Sequence, residues 1–407
     1  MSKPNTEARA DKISNIWKKA EEDIMADIIR RIKKEGKITS TADYQLNRLM
    51  AMGQTTEQIE KHLREALKKT WPEMFELYDE VCNWQYVRNK GLYEQVNAEF
   101  IPPEENQWLQ SLNESVKRQT QNTFTNLSRS YGFAVQMGGK TVFLPFSTYY
   151  QEYVDTAIIN IITGGTDYNT AIRKAVNQMT NSGFRVVDYG TGRSNRIDVA
   201  ARRAVLTGVA QLTGNIAQTN AGILGTNHYE VDWHAGARPE HQIWQGKVYT
   251  QQELVTVCGL GSVTGLHGAN CYHDYYPFVP GVSERLYSDE FLEKMKAEDA
   301  KTMDWGGKKY DAYGRTQWMR KSETSMRAQR EKVNLLKKAG ADEETVTIAR
   351  CLYQKQLNEY KAFARKAGLE TQMERVYYDG RGRIAPPKDV YMEYLNNGFK
   401  RFNKKSA

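Results

Sequence analysis

Five of the six histidines, His228, His234, His241, His267 and His273, fall in one short stretch that also holds Cys258 and Cys271, two of the four cysteines. Imidazole and thiolate are the usual ligands of zinc, so Cys258, Cys271 and His273 with His234 or His241 could form a tetrahedral structural site. The spacing matches no standard finger, and neither a Cys-x-x-Cys nor a His-Glu-x-x-His pair occurs. The competing reading, favoured by those absences, is that the histidines cap turns and bond backbone groups in a loop-rich module. Cys271 lies two residues from His273 and three from Asp274, the residue types of a thiol triad. Neighbours two apart on a strand point in parallel, and no oxyanion signature accompanies them, so no catalytic residue is assigned. The run Gly259-Leu-Gly261-Ser-Val-Thr-Gly265 lacks the Gly-Lys-Ser/Thr ending of a phosphate loop, and its glycines read as turn formers.

Around these residues, Tyr229, Val231 and Trp233 alternate with His228, Glu230 and Asp232, the pattern of a strand exposed on one face. Arg238 precedes Pro239 and is therefore biased to extended backbone, which would project its guanidinium outward. Gly246 suits a tight reversal between Trp244 and the strand-like Lys247–Thr250, and Asn270 can satisfy local backbone groups.

The flanks read as helices. Ile13, Ile16, Trp17, Ala20, Ile24, Ile28, Ile29 and Ile32 recur at three- and four-residue steps before Gly36. A second helix carries Leu46, Leu49 and Met50 up to Gly53, a third opens at Thr55 with Gln58 as a capping box, and Pro72 sits at a first turn. An amphipathic segment over 104–131 precedes a hairpin near 133–144 turned by Gly138-Gly139. Helices follow over 148–162, from an Asp167 cap over 168–181, and over 192–212, where Asp198 can pair with Arg202. Past Pro280, charged helices are expected over 284–301, 320–339 and 342–366. The fold class is thus mainly α with a small central α/β (α+β) module. Along the chain this divides into a helical N-terminal region over 1–190, the His/Cys/Gly-rich module over 191–283, a charged helical region over 284–370, and a basic, loosely ordered tail over 371–407.

No run of apolar residues is long enough to span a membrane, and the first residues are charged rather than apolar, so a soluble protein made in the cytoplasm is expected. Four scattered cysteines form no disulfide framework. The net charge of +8 is uneven: residues 284–407 carry 27 Lys and Arg against 19 Asp and Glu, while 1–283 balance at 30 and 30. Such an excess suits nucleic acid or an acidic surface, although helices with interspersed charges are more often plain solvated faces.

The run Gly236-Ala-Arg238-Pro239-Glu-His241-Gln-Ile-Trp-Gln245-Gly246-Lys-Val-Tyr249, followed by Gly259-Leu-Gly261 and Gly268-Ala-Asn270-Cys271-Tyr-His273, resembles the phage minor capsid protein family of tailed phages and prophages of low-GC Gram-positive bacteria. The stretch Asp188-Tyr189-Gly-Thr-Gly192-Arg193 through Asp198-Val-Ala-Ala-Arg202-Arg203 resembles the same family, and the similarity covers about residues 10–375. The resemblance implies a structural virion protein without turnover or cofactor, made in the host bacterial cytoplasm. It would assemble into the head near the portal vertex with portal or major capsid protein as partner, and would take no membrane or small-molecule substrate. Arg238, His241, Gln245, Gly246, Asn270, Cys271 and His273 are then candidates for a fold-defining or partner-docking surface. Two rivals stand beside this reading. One is a DNA-contacting or ejected internal protein, with Lys400, Arg401, Lys404 and Lys405 as the contacts to packaged DNA. The other is a Cys/His- or metal-dependent effector enzyme centred on Cys271 and His273.

Overall fold

The computed structural model describes residues 2–38, 40–187 and 192–397. It is 64% helical with 10% strand, which makes the protein mainly α. Helices α1 (Thr6–Ile38), α2 (Thr41–Val87), α3 (Lys90–Gln95) and α4 (Gln107–Leu127) lead into strands β1 (Tyr131–Met137) and β2 (Lys140–Pro145). Helices α5 (Phe146–Tyr149) and α6 (Asp155–Ile162), joined by a π-helical turn, precede α7 (Tyr168–Ser182), β3 (Phe184–Val187), β4 (Ser194–Arg196) and α8 (Ile197–Ile223). The histidine-rich stretch forms β5 (His228–Val231), α9 (Pro239–Gln242), β6 (Val248–Thr250), α10 (Gln251–Thr256) and β7 (Tyr275–Phe278). The chain continues through α11 (Asp289–Asp299), the hairpin β8 (Met303–Trp305) and β9 (Lys308–Tyr310), α12 (Ala312–Ala339), α13 (Glu343–Ala367) and α14 (Lys388–Asn397).

These elements form two compact units, each built from three separated stretches: 2–14, 69–125 and 201–318 in the first, and 15–68, 126–200 and 319–397 in the second. The consecutive regions read from the sequence describe composition along the chain, whereas helices such as α1, α2 and α8 contribute residues to both units.

In the first unit, β5 is the middle strand of an antiparallel sheet ordered β6-β5-β7, with His228 opposite both Thr250 and Phe278. Ala217 and Ala221, one turn apart on α8, pack with Tyr229, Val231, Trp244, Leu254, Cys258, Leu266 and Tyr275 in one apolar cluster. The other face of β5 is not exposed as the alternation suggested. Glu230 and Asp232 are both buried: on the chain after β7 the Leu286 N–H donates to Glu230 Oε1 at 2.8 Å, and in β7 itself the Tyr276 hydroxyl donates to Asp232 Oδ2 at 3.0 Å. Arg202 pairs with Glu7 and, at 3.0 Å, with Asp11, so the expected Asp198–Arg202 pair is not made.

In the second unit the hairpin falls where the glycines place it. Gly138 and Gly139 take φ of 57° and 78°, the left-handed values that a two-residue turn of this kind requires, and β3 and β4 extend the hairpin into a sheet ordered β2-β1-β3-β4. Phe133 stacks on Tyr149 with ring centroids 4.4 Å apart, and Asp167 caps α7 by accepting the Thr170 N–H.

Two expected helix boundaries are absent, because α2 runs unbroken for 47 residues through Gly53, Thr55 and Pro72. Thr55 caps nothing; its hydroxyl donates back to the Ala51 carbonyl at 2.8 Å. Pro72 costs the helix about 3 kcal/mol, and buried side chains before it (Ile59, Leu63, Ala66) and after it (Met74, Leu77, Tyr78) outweigh that. The β8–β9 hairpin and the π-helical turn at Tyr150–Val154 also go beyond what the sequence pattern predicts. In the region read as a loose tail, the described residues to 397 hold a short 3-10 turn at Met373–Arg375, a buried Val376, and α14, whose Tyr391 and Tyr394 pack on Cys351. Lys400, Arg401, Lys404 and Lys405, and residues 188–191 of the family-like stretch, lie outside the described residues.

Candidate functional site

The family-like residues are positioned by a short helix, a wound loop and a strand of the first unit. Arg238 stands just ahead of α9 with φ −54° and ψ 146°, as a residue before proline should, and Pro239 opens the helix. That turn carries His241 inward, and Gln245 follows one turn later, its N–H bonded to the His241 carbonyl at 3.0 Å. After α10 the glycine loop folds back on itself. A Cβ at Gly265 would lie 2.1 Å from the Gly259 carbonyl oxygen, so only glycine permits this approach. His267 and Asn270 both adopt positive φ, near 59° and 58°, and this tight winding delivers Cys271 beside His273 at the entry to β7.

Three of the candidate ligands meet. His241 Nδ1 lies 3.3 Å from His273 Nδ1, and Cys271 Sγ lies 3.6 Å from His273 Nδ1 and 3.9 Å from His241 Nδ1. Hydrogen bonds on the far side of each ring orient the pair. Gln245 Oε1 accepts the His234 backbone N–H at 2.9 Å, so it is the amide oxygen, and His273 Nε2 at 2.8 Å must donate to it. His241 Nε2 lies 2.8 Å from the Thr264 carbonyl oxygen, which can only accept. Trp244 covers both rings, with centroids 4.5 Å and 4.8 Å away.

Other candidates are placed elsewhere. Cys258 is an apolar-core residue whose thiol burial pushes up to about 12, and the metal-type group among the described residues does not include it. His228 remains half-buried at the start of β5. His234 stands edge-on to His273 at 4.9 Å, its Nε2 buried and without a hydrogen-bond partner among the described residues. Arg238 does not project outward; its Nη2 lies 2.9 Å from His241 Nε2. Gly246 makes the expected reversal, donating its N–H to the Val231 carbonyl, and Asn270 is exposed. Reasoning from the sequence missed the His267–Asp274 pair, 3.0 Å apart, since its partners sit on an irregular loop with no period to relate them.

Burial disfavours charge on the thiol and on both imidazoles. Burial pushes the Cys271 thiol up and His273 down to about 2, so thiol and imidazole are held as neutral groups rather than as the thiolate–imidazolium pair a cysteine nucleophile needs. No described helix is long and apolar enough to cross a membrane.

A mainly helical body thus carries a small loop-rich module that gathers His241, Cys271 and His273. The chain matches phage minor capsid protein 2 over residues 3–363 and belongs to that family. It is therefore a structural phage capsid protein, a component of the virion. Neither the curated proteins nor the solved structures contain a match.

Proposed function

We propose that this protein acts in head assembly at or near the portal vertex, present in few copies and contacting the portal protein, the major capsid protein or both. The observation that carries the reading is the family match, which spans most of the chain and so concerns its whole architecture rather than one motif. The first turns of α2 agree with it: Leu46, Leu49 and Met50, spaced to share one helix face, are each more than half exposed. Apolar side chains grouped in this way are what an assembly component presents to a partner. The test is co-expression with the portal and major capsid proteins of the same phage, followed by sedimentation and negative-stain imaging. Co-sedimentation with portal rings or procapsids at a low fixed ratio is expected. A chain that stays soluble and separate in every combination would remove the proposal.

A further inference from the structure

We propose that His241 Nδ1, Cys271 Sγ and His273 Nδ1 bind one zinc ion, which staples helix α9, the glycine loop and the start of β7 into a single rigid module. The proposal is independent of the capsid role, and its test does not involve assembly.

Three observations carry it. The first is the spacing. Zn–N bonds of about 2.0–2.1 Å and a Zn–S bond of about 2.3 Å, set tetrahedrally, place ligand nitrogens about 3.3 Å apart and nitrogen and sulfur about 3.6 Å apart. The cluster shows 3.3 Å between the nitrogens, and 3.6 Å and 3.9 Å from the sulfur. The three side chains, drawn from two loops and a helix, already stand at the edges of one coordination tetrahedron.

The second is the tautomers. With Nε2–H committed to Gln245 Oε1 on one ring and to the Thr264 carbonyl on the other, both Nδ1 atoms present bare lone pairs, and these face each other. A single thiol proton can satisfy one of them only. A cation between them satisfies both and takes the sulfur as thiolate, the proton passing to solvent as the metal binds. The Gln245 and Thr264 oxygens are then the outer-shell acceptors that hold ligating imidazoles in place. A metal-free scheme exists in which Arg238 Nη2, 2.9 Å from His241 Nε2, donates to it and moves the ring proton to Nδ1. That scheme turns the His241 Nε2 lone pair onto the Thr264 oxygen 2.8 Å away, and it leaves the thiol only the His273 carbonyl, 3.9 Å away, as acceptor.

The third is the surroundings. His234 Nε2 is buried without a hydrogen-bond partner among the described residues, its ring edge-on to His273, but it stands outside the three-ligand group, so water is the fourth ligand. Trp244 seals one side, and the half-exposed Cys271 and Arg238 give an ion a way in. One borderline nitrogen and sulfur donor set, with no carboxylate within it, selects zinc over magnesium or calcium.

The experiment uses the full-length protein, stripped with chelator and reloaded with Zn²⁺ or with Co²⁺ as a spectroscopic probe. The expected results are about one equivalent of zinc by elemental analysis, and a cobalt form with a thiolate-to-metal charge-transfer band and tetrahedral ligand-field bands. Cys271→Ser should abolish the charge-transfer band, Cys258→Ala should leave it, and Gln245→Leu should weaken zinc binding about 10- to 100-fold. Circular dichroism checks that each variant is folded, and the wild-type cobalt spectrum is informative whatever the variants do. Less than about a tenth of an equivalent of zinc, together with no charge-transfer band at excess Co²⁺, would overturn the site. A charge-transfer band that survives Cys271→Ser and is lost in folded Cys258→Ala would overturn this ligand set.

Discussion

In the histidine-rich module the cluster of His241, His273, Gln245 and the Cys271 thiol is held by neutral hydrogen bonds to one another and to backbone carbonyls, with the buried carboxylates Glu230 and Asp232 outside it. In the other unit the buried clusters are built around ion pairs. Arg330, with a fully buried side chain, grips Asp379 through Nη2 at 2.7 Å and Nε at 3.0 Å, and donates to the Gly382 carbonyl. Arg196 lies between Glu21 and Glu331, at 3.3 Å and 3.6 Å, and the buried Glu22 meets Asn334, Lys338 and Arg381. The neutral cluster is assembled from residues 238–273, within one short stretch, and its side chains suit an ion to be added. The ionic clusters draw on segments far apart in the chain, Glu22 of α1 meeting Asn334 and Arg381 more than three hundred positions away. One is a module organised around local geometry, the other a core closed by long-range charge.

The comparison breaks most sharply at Arg330. Arg330→Met leaves the buried Asp379 carboxylate with only Arg381, 3.5 Å away, as a cationic partner, and should lower unfolding stability by about 3 kcal/mol, read from the urea midpoint. The double variant Arg330→Met, Asp379→Leu should recover most of that loss, because the pair is costly to break rather than strongly stabilising as a pair. If the double variant is as unstable as the single, the charges do more than satisfy each other.

A smaller and local effect is expected in the module. Gly265→Ala forces a methyl group against the Gly259 carbonyl and should cost about 1–3 kcal/mol, with faster amide exchange concentrated in residues 228–278. Exchange that rises equally in both units would show that the module does not open on its own.

The smallest effect is one of pH. Burial, then the neighbouring Glu21, hold the Glu331 carboxyl well above the usual 4.5, against the pull of Arg196. Between the unfolded and folded values the folded chain keeps a proton that the unfolded chain has released, so this group's contribution to stability falls as pH rises. Glu331→Gln mimics the protonated form and should flatten the decline in urea midpoint as pH rises above the usual carboxylate range. Parallel curves for variant and wild type would place the titration elsewhere.

What the sequence made legible follows the same division. The β1–β2 hairpin, the Asp167 cap, and the meeting of His241, Cys271 and His273 depend on residues close in the chain, whose types already limit the backbone. Helix α2 shows the limit of such reasoning, since Gly53, Thr55 and Pro72 are local stop and start signals that burial on either side overrides. The exclusion of Cys258 from the cluster, the inward turn of Arg238 and the Arg330–Asp379 pair depend on which distant segments pack together, and no spacing encodes that. Asp379 lies in the stretch whose glycines, prolines and basic residues read as a loose tail; its carboxylate is what ties that stretch to α12.

The central claim, a structural role in the head at the portal vertex, is tested most directly by counting copies of this chain in procapsids assembled with and without the portal protein, using quantitative mass spectrometry. The account predicts a low, fixed number per particle when portal is present and a marked loss when it is omitted. Equal incorporation in both preparations, or absence from both, would contradict it.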